Sequence, residues 1–256
     1  MKKNVMMRLA AILLVCVLAT TCGISGTFAK YVTSGNVSDT ARVAHWGVVI
    51  TTSGSIFKDQ YANDPVIEKD KNGVDIAMTV VNGSSDGKNL VAPGTASTTE
   101  LVFTISGIPE VAVDVDIQLN INSMVYLAAG EYLDYTTANS TTDTFTLGNT
   151  YQPLVFVLKN GADVELASGT IEQIQSYLKN TISGNYAANT NLATELADAN
   201  ADGTYKLSWY WNFEQSNLIY DKADTYLGNV AAGMVTDPNA SINADIQFVI
   251  TVTQVD

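Results

Sequence analysis

The sequence predicts a mostly β protein, and three observations carry that prediction. Runs of four to eight β-branched and aromatic residues recur between clusters of Gly, Asn, Asp and Pro. Helical spacing is scarce, and no internal repeat of roughly 20 to 50 residues is visible. Short strands with a helical excursion between two of them indicate a jelly-roll-like antiparallel β-sandwich with one or two short helical insertions.

Each predicted strand follows from a local pattern. In residues 111–121 every odd position is apolar and most even positions are polar, which predicts one face on a core and one in water. Residues 154–158 are continuously apolar, which suits a strand buried on both faces. The Ala92-Pro93-Gly94 sequence predicts a turn before a strand. The predicted strands are 42–50, 74–81, 100–105, 111–121, 154–158, 205–211 and 246–253.

Two segments have helical character. Apolar residues at 171, 174, 177 and 178 predict a helix over residues 170–179. Ser168 or Thr170 can cap this helix, and Glu172 lies in its first turn. Residues 192–199 form a second short helix in this prediction, so the helical insertion falls near residues 168–200. The polar residues 136–143 are interpreted as a loop between strands.

The N-terminus has the three parts of an export signal. Lys2, Lys3 and Arg8 precede an uncharged apolar run, and small side chains at Thr27 and Ala29 suit a signal peptidase. The apolar run of about 13 residues is shorter than the roughly 20 of a membrane-spanning helix. We therefore expect cleavage between Ala29 and Lys30, with an uncleaved anchor and lipidation at Cys22 as alternatives.

This cleavage defines the predicted domain organisation. Residues 1–29 are the signal peptide, 30–41 an N-terminal segment, and 42–256 a single β-sandwich domain. No second apolar run of membrane length and no C-terminal sorting motif is present, so we expect no membrane attachment after cleavage. Both cysteines, Cys16 and Cys22, would leave with the signal, so disulfides would not hold the secreted domain.

The charge of the chain is strongly negative. There are 13 Lys and Arg against 26 Asp and Glu, a formal net charge of −13. Cleavage would remove three basic residues and leave 10 against 26, a net charge of −16. Such a charge repels polyanions and argues against nucleic acid as a partner. It would also keep an exported subunit soluble until assembly, although ordinary secreted proteins are acidic too.

The residues that catalysis or metal binding would use are few. His45 is the only histidine, so the two-histidine motif of zinc peptidases is missing, and a cysteine-free secreted domain lacks the common zinc ligands. A Ser-His-Asp relay centred on His45 stays open, but no Gly-x-Ser-x-Gly motif accompanies it. A structural histidine is the favoured interpretation. We predict no catalytic residue, no metal site and no cofactor.

Three other patterns have a functional and a structural interpretation. Asp114 and Asp116 share the wet face of one strand, where they are either a solvated pair or the acid and base of a sugar cleft. Residues 70–75 resemble part of a calcium loop but favour a hairpin turn. Trp209, Tyr210 and Trp211 suggest a carbohydrate platform, although aromatic residues at i, i+2 spacing on one strand face favour the core.

Several motifs carry a resemblance to a known family. Gly26-Thr-Phe-Ala29 before Lys30-Tyr-Val-Thr33 resembles the processing site of the SipW-type signal peptidase of Gram-positive bacteria. The segments 34–46, 89–103 and 246–255 are similar to the TasA/camelysin family of secreted biofilm-matrix fibre proteins, and 205–214 with 224–228 resembles uncharacterised clostridial relatives. Residues 123–200 match nothing in that family. Camelysin was named a metallopeptidase, but this sequence lacks the ligands for that activity.

The resemblance implies a jelly-roll subunit, secreted to the extracellular matrix or cell surface, that self-associates into filaments, alone or together with other matrix components. In such fibres an N-terminal segment resembles a donor strand laid into the next subunit. Residues 30–41 fit that role because they are polar, contain Gly35 and precede the first firm strand. The intersubunit strand then consists of Lys30, Tyr31, Val32, Thr33 and Val37, with Tyr31 and Val32 as anchors.

A second hypothesis comes from a different class of function. A secreted hydrolase or a carbohydrate-binding module can be built on the same β scaffold, because fold does not fix function. Concentration-dependent filaments favour the structural subunit, whereas saturable binding or turnover by a monomer favours the alternative. We expect a structural protein that is not an enzyme.

Overall fold

The structure of the protein is a computed structural model. It describes residues 47–57, 91–136, 143–196, 202–213 and 217–255, together with the backbones of four short strands at 32–34, 61–63, 66–69 and 75–78. Except for Val32, the described residues belong to one compact unit, Thr33–Asp256. The predicted signal peptide lies outside the described residues, and the predicted domain boundaries after 29 and 41 stay predictions.

Seventeen strands are described. They are β1 (Val32–Ser34), β2 (Val48–Ser53), β3 (Tyr61–Asn63), β4 (Val66–Lys69), β5 (Asp75–Met78), β6 (Thr95–Ser97), β7 (Leu101–Gly107), β8 (Val113–Ser123), β9 (Tyr126–Leu127), β10 (Gly130–Leu133), β11 (Thr144–Leu147), β12 (Leu154–Asn160), β13 (Glu165–Gly169), β14 (Gly184–Tyr186), β15 (Thr204–Trp211), β16 (Ala240–Ser241) and β17 (Asp245–Gln254). The helices of the described residues are α1 (Ile171–Tyr177), which continues as a π-helical turn (Leu178–Ile182), α2 (Leu192–Glu195) and α3 (Leu218–Ala231).

Two sheets form the body of the unit. The smaller has the order β1-β17-β8-β14. In the larger sheet β15 is central, with β12 and then β13 on one side of it. Two strands, β7 and β6, pair with different parts of its other side. Beyond them, β2 pairs with β7 and β3 pairs with β6. The strand pairs with a described register are all antiparallel. Three two-stranded hairpins or ribbons, β4-β5, β9-β16 and β10-β11, complete the strands.

The inner faces of both sheets contribute to one hydrophobic core. The ring of Phe103 on β7 lies 4.9 Å from Tyr205 on β15 and 5.1 Å from Phe248 on β17, so it joins the larger sheet to the smaller one. Burying large aromatic rings is among the strongest contributions to such a core. The prediction of a mostly β, sandwich-like fold is confirmed, whereas the finer jelly-roll connectivity stays a prediction.

The alternation predicted for residues 111–121 is present in β8. Val113, Val115, Ile117 and Leu119 are all buried, while Gln118 and Asn120 are exposed. The continuous apolar run 154–158 is also a central strand, because β12 pairs with β13 on one side and β15 on the other. Every predicted strand overlaps an observed one, with residues 42–46, 74 and 79–81 outside the described part of the chain.

The predicted helices are correct in position, but a third helix was missed. α1 begins after Thr170, whose backbone N–H donates to the Gln173 side chain at 2.8 Å. α2 covers four residues within the predicted 192–199. The 14-residue α3 lies outside the predicted insertion at 168–200 and adds a third helix to the one or two that were predicted. Its signals were Asn217 as N-cap and apolar residues on one helical face.

The predicted turns are found where their flanking residues are described. Gly94 has φ +78°, which suits a glycine after Pro93, and the backbone N–H of Thr95 donates to the Ala92 carbonyl at 3.1 Å. β4 and β5 pair antiparallel on either side of residues 70–74, as a hairpin requires. Among the described residues, no helix is both long and apolar enough to cross a membrane.

Candidate functional site

The predicted intersubunit strand is described only in part. Val32 and Thr33 lie in β1, whose backbone neighbours β17 in the smaller sheet. Lys30, Tyr31, Val37 and the predicted cleavage site after Ala29 lie outside the described residues. The structure therefore assigns an extended backbone and a position beside β17 to residues 32–34, near the start of the predicted donor segment, and the role of these residues stays a prediction.

The two edges of the central β8-β17 pair differ. β17 pairs with β8 from Asp245 to Gln254, and the Val255 N–H continues the ladder to the Ala112 carbonyl at 2.9 Å. The far side of β8 is covered by β14 and by Ser183, whose hydroxyl accepts the Ile117 N–H at 2.9 Å. The far side of β17 is bordered, among the described strands, only by the three residues of β1.

The outer edge of β17 has few of the features that protect sheet edges. Proteins commonly place Lys, Pro, bulges or a covering element at an edge to prevent pairing with another chain. β17 has ten residues, and only Asp245, at its beginning, is charged. Its one register shift lies next to Asp245, so the remaining residues form a regular strand. We call the side of this strand that faces away from β8, where β1 is its described neighbour, the β17 edge.

The larger sheet also has an exposed edge. β2 pairs with β7 over its full six residues, and the structure describes no strand on its other side. It is uncharged, and four of its residues are exposed. Its difference from the β17 edge is that no described part of the predicted donor segment lies beside it.

The residues weighed for catalysis do not assemble into a site in the described part of the chain. His45 and residues 70–74 lie outside it. Asp114 and Asp116 are on the outer face of β8, where they oppose Thr253 and Thr251 of β17. Asp116 accepts a hydrogen bond at 2.6 Å from the exposed Gln118 side chain. No group of three or more His, Cys, Asp or Glu that could hold a metal ion occurs among the described residues.

The tryptophans of β15 belong to the core, as the strand spacing predicted. Trp209 and Trp211 are 1% and 5% exposed, and the indole N–H of Trp209 donates to the Ile56 carbonyl at 2.7 Å. Tyr210, between them, faces outward and is 37% exposed. A carbohydrate platform formed by the two tryptophans is therefore ruled out by their burial.

A buried carboxylate at α3 was not predicted from the sequence. Asp224 is 9% exposed and accepts hydrogen bonds from the Tyr151 hydroxyl at 2.7 Å and the Trp211 indole N–H at 3.3 Å. Tyr151 precedes it by 73 residues, so no local pattern connects the two side chains. Their meeting depends on α3 packing across the end of β15 and the loop that contains Tyr151.

Burial changes the protonation of this group. Removal from water raises the pKa of Asp224 to about 7, and it outweighs the hydrogen bonds from Tyr151 and Trp211, which act to lower it. The nearby Asp221 raises it further. Burial and the neighbouring Asp224 raise the pKa of Tyr151 as well, so its phenol stays protonated in the neutral range. Asp224 therefore changes charge near neutral pH.

A cleft lies directly outside Tyr151. The ring of Tyr220, in the first turn of α3, stacks on Tyr151 with centroids 4.9 Å apart and planes 11° apart. The cleft has a volume of about 340 Å³ and is lined by residues of the 146–152 loop and the N-terminal ends of α1 and α3. We call it the tyrosine cleft; its lining residues are Thr146, Leu147, Gly148, Asn149, Thr150, Tyr151, Gln152, Thr170, Asn217, Ile219 and Tyr220.

α3 is fixed to the rest of the unit by polar contacts at several points. Lys222 forms an ion pair at 2.7 Å with Asp134, whose side chain is 3% exposed. The Lys222 and Thr136 hydrogen bonds hold the pKa of Asp134 at about 2, well below its usual range. Tyr226 donates to Asp237 at 2.8 Å. These contacts position both Asp224 and Tyr220.

A second, smaller cavity is lined by Asp224 itself. Its volume is about 120 Å³, and apart from the carboxylate and the Trp211 indole its wall is apolar. Its lining residues include Pro93, Val125, Leu227 and Ile242. Because both Asp224 oxygens already accept hydrogen bonds, this cavity offers little polar recognition, and the tyrosine cleft is the better candidate for a ligand.

Comparisons with known proteins identified no relative of this chain. No family model, curated protein or solved structure matches this chain.

Proposed function

We propose that this protein is a secreted structural subunit of an extracellular, biofilm-matrix-type fibre and that it assembles by strand donation. The observation that carries the proposal is the β17 edge. A regular ten-residue strand is paired along one side by β8, while three residues of β1 are its only described neighbour on the other. The resemblance of the sequence to matrix fibre proteins supports the same function.

The backbone along the β17 edge is the part of the molecule that another chain could pair with. An edge strand presents a row of N–H and C=O groups that another extended chain can pair with. A ten-residue edge with its single charge at one end gives little electrostatic or steric resistance to such pairing. Natural sheet edges are commonly protected, so an edge with few protective features among the described residues is consistent with one that pairs with another chain.

The position of β1 suggests how a filament would form. β1 comes from the predicted donor segment, residues 30–41, and lies beside β17. If the same segment pairs with β17 of a neighbouring subunit instead, the sheet order is preserved and two chains become linked. Such a contact joins two different surfaces, so it extends in one direction and produces a filament rather than a closed dimer.

Cleavage after Ala29 would control this exchange. A segment still joined to a signal peptide at the membrane cannot reach a neighbour, and Lys30, Tyr31, Val32, Thr33 and Val37 follow the cleavage site directly. The start of the mature chain can be read by N-terminal sequencing or intact mass of the secreted form. A lipid-modified start at Cys22 would contradict this part of the proposal.

The first prediction tests strand donation by deletion. A chain that begins at Ala41 instead of Lys30 should stay a folded monomer and no longer elongate, because the donor backbone is missing. Negative-stain electron microscopy gives filament length, and circular dichroism shows whether the β fold is kept. As a matched test on intact protein, an excess of a peptide with the sequence of residues 30–41 should block elongation, while its scrambled version should not. Filaments from the deletion variant that match those of the parent would refute the mechanism.

Cysteine pairing tests which edge is used. The predicted mature chain has no cysteine, so Thr33→Cys can be combined with a single cysteine at each position from 247 to 253 in turn. Adjacent strands bring some of these pairs within disulfide distance. Filaments should then give covalent ladders on a denaturing gel, and Thr51→Cys on β2 is the control. Ladders that form with the β2 cysteine but with none of the β17 cysteines would show that β2, and not β17, accepts the donated strand.

The hydrolase alternative has no supporting observation among the described residues, where the two candidate carboxylates are on an open sheet face. Saccharide binding is different, because the tyrosine cleft offers a specific place for it.

A further inference from the structure

We propose that the tyrosine cleft is a binding site for a neutral saccharide, with the exposed face of Tyr220 as the stacking surface. The cleft is on the α3 side of the unit and contains none of the β1 or β17 residues. The inference goes beyond the proposed structural role and does not depend on it. A fibre subunit with such a site would also adhere to polysaccharide.

The size and shape of the cleft suit a small ligand. Its volume of about 340 Å³ falls within the range of roughly 300 to 1,000 Å³ that is typical of small-molecule sites. Gly148 lies on its wall, and a Cβ atom added there would meet nothing within 4 Å. The space beside Gly148 is therefore open, and Gly148 has no left-handed backbone that would require a glycine.

The stacking surface is held rigidly before any ligand arrives. Tyr220 is 37% exposed and stacks on Tyr151, which is 6% exposed. The Tyr151 hydroxyl is in turn fixed by its hydrogen bond to the buried Asp224 at 2.7 Å. Because the inner ring cannot move freely, Tyr220 loses little freedom when a ligand covers it, and such preorganisation favours binding.

The polar groups of the lining are amides and hydroxyls. Asn149, Gln152 and Asn217 supply amides, and Thr146, Thr150 and Thr170 supply hydroxyls. Amides and hydroxyls both donate and accept hydrogen bonds. The Asn217 oxygen already accepts the Ile219 N–H and the Gln152 amide already donates to Glu172, so these two side chains offer their remaining groups to a ligand. Sugar hydroxyls have the same dual character, and the C–H face of a pyranose ring is flat and apolar. A polyhydroxylated ring on an aromatic surface therefore matches this wall at both its polar and its apolar parts.

The charge of the lining selects against ionic ligands. None of the described residues that line the cleft is charged, although the whole chain has a net charge of −13. Glu172 accepts a hydrogen bond from Gln152 at 3.1 Å, so a carboxylate lies at the rim. The overall acidity repels anionic sugars. A cationic ligand could contact the aromatic face, but none of the described lining residues has a carboxylate that could form an ion pair with it.

The test is a binding assay on an array of neutral, anionic and cationic oligosaccharides, followed by calorimetry with the best neutral probe. Freshly purified monomer is used, so the presence or absence of filaments does not affect the result. Tyr220→Ala should weaken binding by about tenfold or more, because it removes the stacking surface, while Tyr220→Phe should keep it. Gly148→Trp should abolish binding by filling the open space.

Tyr210→Ala is the matched control, because Tyr210 is also 37% exposed but lies on β15 outside the cleft. It should bind like the parent. Thermal unfolding of each variant separates loss of binding from loss of fold, and the Gly148 variant introduces no backbone strain. The proposal is overturned if no neutral oligosaccharide on the array binds, if only charged ones do, or if Tyr220→Ala binds as the parent does.

Discussion

The β8-β17 sheet and the α3 region are built on different principles. In β8 and β17 the side chains alternate with period two, and apolar partners face one another across the pair, as Leu119 and Phe248 do. The α3 region is assembled from residues far apart in the chain, such as Tyr151 with Asp224 and Asp134 with Lys222. The sheet is specified by local pattern and hydrophobic burial, whereas the α3 region depends on buried polar contacts that form only after folding.

This difference predicts unequal responses to mutation and to pH. Apolar burial does not involve protons, so the contribution of the sheet should be independent of pH. The Asp224 cluster includes a group that titrates near neutral pH, so its contribution should change in that range. The following experiments test the contrast, beginning with the largest expected effect.

Leu119→Ala should lower the free energy of unfolding by about 3 kcal/mol, because Leu119 is 1% exposed and its truncation leaves a cavity. The matched variant Asn120→Ala, at the exposed neighbouring position, should change it by less than about 0.5 kcal/mol. Denaturant titrations at pH 5 and pH 8 measure both. If the loss of unfolding free energy caused by Leu119→Ala differed markedly between the two pH values, the sheet's contribution would not be independent of pH.

Asp224→Asn should remove a decline in stability between pH 5 and pH 8. The pKa of Asp224 is raised by folding from 3.8 to about 7. Its contribution is therefore fully present below about pH 4 and is lost as the pH rises through 7. Because proton binding is linked to folding, titration of Asp224 should lower the parent's free energy of unfolding by on the order of 2 kcal/mol between pH 5 and pH 8.

An asparagine amide N–H can donate to the Tyr151 hydroxyl oxygen, which reverses that hydrogen bond, while the amide oxygen accepts from Trp211, so asparagine imitates the protonated acid without titrating. The two proteins are compared by urea titration at half-unit pH steps, and the difference between their stability curves cancels the contributions of groups that both proteins share. Parallel stability curves for parent and variant across this range would show that Asp224 does not titrate there.

Asn217→Ala should cost about 1 kcal/mol, because the Asn217 side chain accepts the Ile219 N–H at 3.1 Å and caps α3. Asn191→Ala makes the matched comparison, since Asn191 caps the four-residue α2 in the same way. Thermal unfolding should show the larger shift for Asn217→Ala, because α3 also carries Asp224 and Tyr220. An equal or smaller shift for Asn217→Ala would mean that the α3 region adds nothing to the effect of the cap.

The candidate sites differ in how far the sequence revealed them. Residues 30–41 were identified from their place after a predicted cleavage site, and the edge beside β1 became visible only in the sheet order. The tyrosine cleft was not anticipated, because its walls come from the 146–152 loop and from α3. The aromatic motif of β15 suggested a saccharide site at Trp209 and Trp211, but both side chains are buried in the core.

By itself the sequence determined the class of fold, the main strands and the position of α1. These features depend on the spacing of apolar residues and on caps and turns, and all of those act between neighbours in the chain. Tertiary structure alone decided which strands lie next to one another in the sheets, which aromatic ring faces solvent and why an aspartate in α3 is buried. Those outcomes depend on contacts across many residues, such as the 73 between Tyr151 and Asp224. Desolvation and long-range packing, which no local pattern encodes, set them.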